Sequence, residues 1–345
     1  MLDARYDRDT GVGRYVAGLQ RALRESSRFT YRFVGPERDR AADVIPVRAR
    51  PYSIREQVEL PWVLRRAHPR LVHAPYFLIP LLWPGRLIVT IHDVIPLDFP
   101  DSLSSRARAL YPALLRAACA RAVSVLVPSV ATAEELVRRG LATMSRIVVT
   151  PLAPSDLPPP RGDAPPFGDR PYVLSVGLLR RHKNLPVLVK AFARVVGRRD
   201  LLLVIAGEGP ERPSLHELAQ ELGVGDQVRL LGHVPDADIS ALYAGARLFV
   251  APSLVEGFGL TLLDAMRLGV PAIASATAAH IEVAAGATPT FDPGDADGLA
   301  SLMEDALDDE ALRAAICTRG LERAEDFSWE RTAAATERAY ARVME

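Results

Sequence analysis

Apolar residues along this chain gather into short continuous runs bounded by glycine, proline, aspartate or arginine. YRFVG, RLVHA, RLIVTIHD, VSVLVPS and RIVVTP are the runs of the first half. Runs of this length, rich in Val and Ile, read as strands buried on both faces. Between them lie ERDRAADVIPVRARP, the helix-like SIREQVELPWVLRRA, and RARALYPALLRAACARA. After a proline-rich stretch the alternation restarts. YVLSVGLL, LLLVIAG, VRLLGH, LFVAPS and PAIAS read as strands, with NLPVLVKAFARVV, PSLHELAQEL and DADISALYAGA between them. GLASLMEDALDD, ALRAAICTRGLERAEDF and SWERTAAATERAYARVME close the chain with helical spacing. Strands that alternate with helices imply parallel sheets with right-handed crossovers. Ligands in such sheets bind beyond the carboxyl ends of the strands.

The 345 residues suit two α/β domains, each with its own core. Residues 153–171 hold too many prolines for a helix or a central strand and read as a linker. The expected division is residues 1–152, the linker 153–171, a second domain 172–327 and a last helix 328–345.

Composition adds little except in how charge is distributed. Residues 1–150 hold 23 Arg and 14 acids, and residues 151–345 hold 19 bases and 28 acids, so a basic half precedes an acidic one. Two readings of the basic half stay open: attraction to an anionic membrane or lipid phosphate, and ordinary solvated helix faces. The same two readings apply to EQVELPWVLRRAHPR, a basic apolar helix that either touches membrane or packs into the core with an arginine fringe. Aromatic residues do not interleave with the arginines as a nucleic-acid stacking platform requires, so nucleic acid is not expected as a partner. Cys119 and Cys317 offer no metal spacing and no disulfide framework, which fits a reducing cytoplasm. No apolar run is long enough to span a membrane, and no signal peptide is expected.

The densest chemistry lies in residues 241–275, which read as helix, strand, glycine loop, helix and strand. Glu256 begins the loop, Gly257, Phe258 and Gly259 open the next helix before Leu260, and Asp264 lies about two turns inside it. A helix N-terminus offers unpaired N–H groups and a positive dipole end to an anion such as a diphosphate. Carboxylates on either side suit a group with many hydroxyls. Phosphate and polyol together describe a nucleotide-sugar. Upstream, Gly177 is followed by Arg180, Arg181, His182, Lys183 and Asn184, the basic loop that a diphosphate requires. Lys183 and Lys190 are the only lysines. Gly11 and Gly13 mark a turn between a short strand and a helix, with Arg14 and Tyr15 next. His92 and Asp93 end the strand RLIVTIHD. Ser129 reads as a helix N-cap, Gly207 and Gly209 as loop-shaping residues, and His280 as a surface residue, with Glu282 capping or orienting the helix pair.

Glu256 to Asp264, within PSLVEGFGL and DAM, resembles the acid-x7-acid signature of the retaining enzymes of glycosyltransferase family 4 (GT4). DTGVGRY and IHDVIPLDFP resemble the bacterial mannosyltransferase-like members. The resemblance runs over nearly the whole chain. It implies the GT-B fold, two Rossmann-like domains facing across a cleft, with the last helix crossing back to the first domain. It also implies transfer of a sugar from a nucleoside diphosphate to a hydroxyl acceptor with retention, without a metal or other cofactor.

In that family pattern His92 contacts the donor sugar, with Asp93 beside it. Glu256 contacts sugar hydroxyls and Asp264 the ribose. Gly11, Gly13, Gly177 and the amides of Gly257 to Gly259 approach the diphosphate with Phe258 and Leu260, and His233 and Val234 contact the base. Lys183 and Arg180, with Arg181 as alternative, bind phosphate, and Arg14 and Tyr15 lie on the acceptor side. Asp264 and Thr261 depart from the more frequent Glu and Pro. The donor reads as GDP-mannose, with UDP-sugars open. The acceptor is a glycan, a glycolipid or a small molecule. A nucleotide-sugar epimerase, a phosphorylase and a binding-only protein are the competing classes.

Overall fold

The computed structural model describes residues 1–6, 10–36, 39, 41–51, 53–159, 166–197 and 199–345. Asp9 of the DTGVGRY phrase and residues 160–165 of the linker lie outside them. The chain divides into two compact units, Met1–Ala153 with Phe327–Glu345, and Pro154–Asp326.

The first unit contains β1 (Leu2–Asp3), α1 (Gly11–Glu25), β2 (Phe33–Pro36), β3 (Val44–Val47), α2 (Glu56–Ala67), β4 (Val72–Ala74) and β5 (Leu87–Thr90). These are followed by α3 (Ile95–Asp98), α4 (Ser105–Arg121), β6 (Ser124–Val127), α5 (Val130–Arg138) and β7 (Ile147–Val149). Its seven strands lie in the order β3-β2-β1-β4-β5-β6-β7, every pair parallel. The apolar runs became strands because both faces of this sheet are covered by helices, so continuous hydrophobicity has somewhere to go. Strand β3 comes from the stretch to which the sequence assigned no element. Pro46 lacks an N–H for the ladder, and the strand is tolerated because it lies at the sheet edge.

The second unit contains β8 (Pro166–Asp169), β9 (Tyr172–Val176), α6 (Leu185–Val196), β10 (Leu202–Ala206), α7 (Arg212–Glu221), β11 (Val228–Gly232) and α8 (Asp236–Gly245). After them come β12 (Leu248–Ala251), α9 (Leu260–Arg267), β13 (Ala272–Ser275), α10 (Ala278–Ala284), β14 (Thr290–Phe291), α11 (Ala296–Asp308) and α12 (Glu310–Ala324). Six parallel strands lie in the order β11-β10-β9-β12-β13-β14. The order reverses beside β9, which places the loops after β9 and β12 at the switch point of the sheet. Val173, Leu203, Ile205, Leu248, Val250 and Ile273 form the middle of its core.

The last helix, α13 (Trp329–Met344), belongs to the first unit and packs on α1. Gly18 makes this contact possible, since a Cβ there would lie 2.1 Å from the Trp329 ring.

Candidate functional site

The second unit builds a charged site from the loops after β9 and β12. Gly177 leaves β9 with φ +151°, and a side chain at that position would press on the stem of Lys183, whose Cε would be 3.4 Å from its Cβ. The chain then turns through Arg181–Lys183 to Asn184, which adopts left-handed backbone (φ 52°). Asn184 Nδ2 donates to the Pro252 and Pro293 carbonyls at 3.1 and 2.7 Å, and Leu254 N donates to the His182 carbonyl at 2.7 Å. These bonds join the two loops and fix where Lys183 points.

Lys183 Nζ donates to Glu256 Oε1 at 2.7 Å, and Ser253 Oγ donates to the same oxygen at 2.6 Å. The pair is largely buried, its side chains 18% and 11% exposed. Burial opposes the charge on Glu256, but the charge of Lys183 and the bonds from Lys183 and Ser253 outweigh it and hold the carboxyl at about 2. Glu256 is therefore ionised at any working pH. Lys183 has three N–H donors and Glu256 takes one, so the ammonium retains capacity for an anion.

Gly257 and Phe258 are buried behind this pair, and Gly259 caps α9 in left-handed backbone (φ 103°). The helix thus begins at Leu260, later than the sequence reading placed it, because Gly259 adopts a conformation no helix interior allows. Asp264 is consequently the fifth residue of α9. It is buried, and both its oxygens accept from the linker: Oδ1 from Ser155 N at 2.7 Å and Oδ2 from Ser155 Oγ at 2.9 Å. The sequence pairs Asp264 with Glu256, whereas the fold pairs it with Ser155.

Arg180 is half-buried and its charge reaches His182, while Arg181 is exposed. His182 is buried, and burial first, then the charge of Lys183, pushes it down to about 4. His233 is exposed and Val234 half-buried just after β11, where His233 N lies 3.4 Å from Glu208 Oε1. Gly207 and Gly209 do shape a loop, since a Cβ on Gly207 would lie 1.8 Å from the Gly177 carbonyl oxygen. His280 corrects the sequence reading. It is fully buried, because α10 turns it inward against Gly259 rather than outward to solvent.

The first unit builds its site around neutral rings, with Arg14 and Asp93 beside them. Thr10 caps α1 by accepting from Gly13 N at 3.0 Å, so Gly11 and Gly13 form the first helical turn rather than a loop before it. Arg14 is half-buried and Tyr15 buried, one turn on. His92 and Asp93 follow the end of β5, and Asp93 Oδ1 accepts from Ile95 N at 3.0 Å. His92 Nε2 lies 2.9 Å from the Pro75 carbonyl, which can only accept, so Nε2 carries the proton and Nδ1 keeps its lone pair. Burial pushes His92 down to about 4 against that hydrogen bond. It is therefore a neutral acceptor.

The Tyr15 ring packs edge-on to His92 at 4.8 Å. Behind it a buried chain runs from Tyr15 Oη to Thr90 Oγ1 (3.1 Å), His73 Nε2 (2.7 Å) and Tyr340 Oη (2.6 Å), which ties the pair to α13. The sequence reading missed Ser253, Ser155, His73 and Thr90. None stands in a spacing that marks it: the sheet register brings His73 to Thr90, while Ser155 comes from the linker and Ser253 from the loop after β12.

Residues 161–323 match the family described as glycosyl transferases group 1, and residues 10–153 match glycosyltransferase family 4. The O-antigen chain mannosyltransferase B of Escherichia coli is 31% identical over 290 residues, 81% of this chain and 76% of that protein. The D-inositol 3-phosphate glycosyltransferase of Corynebacterium aurimucosum is 34% identical over 50% of this chain and 43% of its own length. Among solved structures, the sucrose-phosphate synthase of Thermosynechococcus elongatus superposes with a TM-score of 0.78 at 23% identity, covering 99% of this chain and 98% of its own. HepE of Anabaena, in complex with UDP and glucose, gives a TM-score of 0.76 at 18% identity over 99% and 98%. These structures share the GT-B fold of two parallel-sheet α/β domains.

Proposed function

The chain belongs to the group 1 glycosyltransferases of family 4, and from that premise we propose that it moves a sugar from a nucleoside diphosphate to a hydroxyl acceptor with retention of configuration. The observation that carries the reading is the buried Lys183–Glu256 pair beside the N-terminus of α9. In the transfer, the bond from the anomeric carbon to the β-phosphate oxygen breaks and a bond to the acceptor oxygen forms. Negative charge grows on the leaving diphosphate. Lys183, Arg180 and the amides of Gly257 to Gly259 stabilise it most in the transition state. The diphosphate takes the acceptor's proton on the same face, so no separate base is required. Glu256, ionised, accepts from sugar hydroxyls, and His92 accepts through Nδ1. No metal takes part.

Mannose from GDP-mannose is the preferred donor, supported by the similarity to a mannosyltransferase over most of the chain. A UDP-sugar is the second reading, favoured by the likeness to HepE, whose structure contains UDP. Mass-spectrometric detection of donor cleavage over a panel of GDP- and UDP-sugars, with EDTA present and with acceptors supplied, tests the whole reading. Release of one nucleoside diphosphate, lost in Glu256→Ala, supports it. Turnover abolished by EDTA overturns the metal-free part, and binding without any turnover overturns the enzyme.

The acceptor side works at an anionic lipid surface in this reading. Ile54, Val58 and Trp62 stand on one outward face at α2, 91% and 53% exposed at its ends, with exposed Leu81 and Leu82 beside them. Gln57 bonds Ile79 O and Leu81 N and so holds the two apolar edges together. Arg66 stacks on Trp62 at 4.2 Å, while the acids of α2 are engaged, Glu56 by Arg5 and Glu59 by Arg55. An apolar face fringed by arginine suits the headgroup region of a bilayer. Sedimentation with phosphatidylglycerol vesicles should fall in high salt and in Trp62→Ser. Self-association through this face, or no vesicle binding at low salt, would overturn it.

A further inference from the structure

Helix α10 carries a histidine that the reaction above does not use. His280 Nδ1 lies 3.1 Å from the Ser275 carbonyl oxygen and 3.2 Å from Ser275 Oγ. That hydroxyl donates its own proton to the Ser253 carbonyl at 2.5 Å. Nδ1 therefore faces two acceptors and carries the ring proton, which leaves Nε2 as a bare lone pair. Nε2 is buried and has no hydrogen-bond partner among the described residues, an arrangement that native structures seldom keep without a use. The ring edge bearing it lies against the turn that opens α9. A Cβ on Gly259 would be 2.8 Å from its Cδ2 and 3.4 Å from Nε2.

We infer that His280 is a proton-linked positioning residue for the diphosphate: neutral in the donor-free protein, it takes a proton from solvent at Nε2 when the anion fills the N-terminus of α9. The imidazolium then braces that turn from behind with charge as well as shape. This rests on the nucleotide-sugar reading given above.

The surrounding charges make such a response steep. Burial pushes the ring's proton affinity down, Glu256 and the Ser275 carbonyl push it up, and Lys183 pushes it down again. Lys183 and Glu256 already offset each other as a pair, so the negative charge of a diphosphate arriving at the turn of α9 raises the ring's proton affinity further. Other charged groups around α10 already have partners. Arg323 of α12 donates to the Glu282 and Val283 carbonyls at 2.9 Å, Arg319 reaches the Ala287 carbonyl at 3.4 Å, and Asp264 of α9 is held by Ser155. The other histidines of this unit's site are His182, in the loop after β9, and the exposed His233, after β11. Because the bound form holds the extra proton, affinity for the diphosphate rises as pH falls, until the free ring is itself protonated.

Calorimetry of the full chain with GDP and with UDP, in two non-phosphate buffers of different ionisation enthalpy, counts the protons taken up on binding. The wild type is expected to take up more than His280→Gln, by as much as one proton per nucleotide. Nitrogen NMR of histidine-labelled wild type gives a reading that does not depend on a variant folding: the Nε2 resonance should move from the lone-pair to the protonated range when nucleotide is added. Equal proton counts in wild type and His280→Gln, or an Nε2 resonance unmoved by bound nucleotide, overturns the inference and leaves the transferase reading intact. If neither nucleotide binds the wild type, the transferase reading fails and this inference with it.

Discussion

The two units solve the same geometric problem with opposite electrostatics. Each is a parallel sheet whose loops present polar side chains beyond the strand ends. After β9 and β12 the second unit buries an ion pair, Lys183 with Glu256, and adds a helix N-terminus. After β5 the first unit holds a half-buried His92 and a buried Tyr15 as neutral groups, backed by Thr90, His73 and Tyr340. The difference follows from the chemistry each is proposed to meet. A leaving diphosphate requires fixed positive charge, whereas a sugar hydroxyl requires an acceptor with no charge to desolvate.

That contrast can be broken most forcefully at Lys183. Lys183→Ala should lower kcat about 10²–10³-fold, as loss of one fixed group that meets transition-state charge does. It should also destabilise the fold, because removing one partner leaves Glu256 buried and uncompensated. Steady-state kinetics and urea unfolding check the two effects, and a fall in KM alone would contradict the assigned role.

Acid should distinguish the neutral groups from the charged one. His73 and His92 are pushed down to about 3 and about 4, so below pH 6.5 the unfolded chain binds protons that the folded chain refuses. Stability should therefore fall from pH 6.5 towards 4, by roughly 1.4 kcal/mol per pH unit for each such histidine. Glu256, held at about 2, contributes stability that is complete above 4.5 and is lost only as pH falls from 4.5 through 2. Urea midpoints across this range give the comparison directly, and a flat profile between pH 6.5 and 5 would contradict the buried neutral histidines.

A smaller effect is expected at His92 itself. His92→Leu removes one neutral hydrogen bond, about 1 kcal/mol, or roughly a fivefold fall in kcat/KM. With His92 at about 4, it adds no inflection near pH 6.5 to the kcat/KM profile. The smallest effect is expected at Ser155. If ribose hydroxyls compete with it for Asp264, Ser155→Ala should change nucleotide affinity by less than about tenfold, in the range of one hydrogen bond. Asp264→Asn should alter affinity similarly, and titration calorimetry with GDP and UDP reads both.

The chemistry of the charged unit was more legible than that of the neutral one. Lys183, Glu256 and the glycines at 257 and 259 stand out because charge in an apolar context and glycine in a turn are rare and local. Their partner Ser253 was not legible, since a serine three residues before a glutamate is commonplace. In the neutral unit only the His92–Asp93 pair at a strand end was marked. Thr90, His73 and Tyr340 come from three elements and look like ordinary interior residues. Strand β3 was missed because Pro46 interrupts its short apolar run, a pattern that only an edge position permits.

The sequence by itself determined two parallel α/β sheets, the glycine turns, the cation at 183 and the acid at 256, because period and composition act over a few residues. Tertiary structure alone decided that Asp264 bonds the linker, that His280 turns inward with Nε2 unpartnered among the described residues, and that His92 is locked as an acceptor by Pro75. Those outcomes depend on which carbonyl or hydroxyl lies within about 3 Å across elements far apart in the chain, a distance that no local pattern encodes.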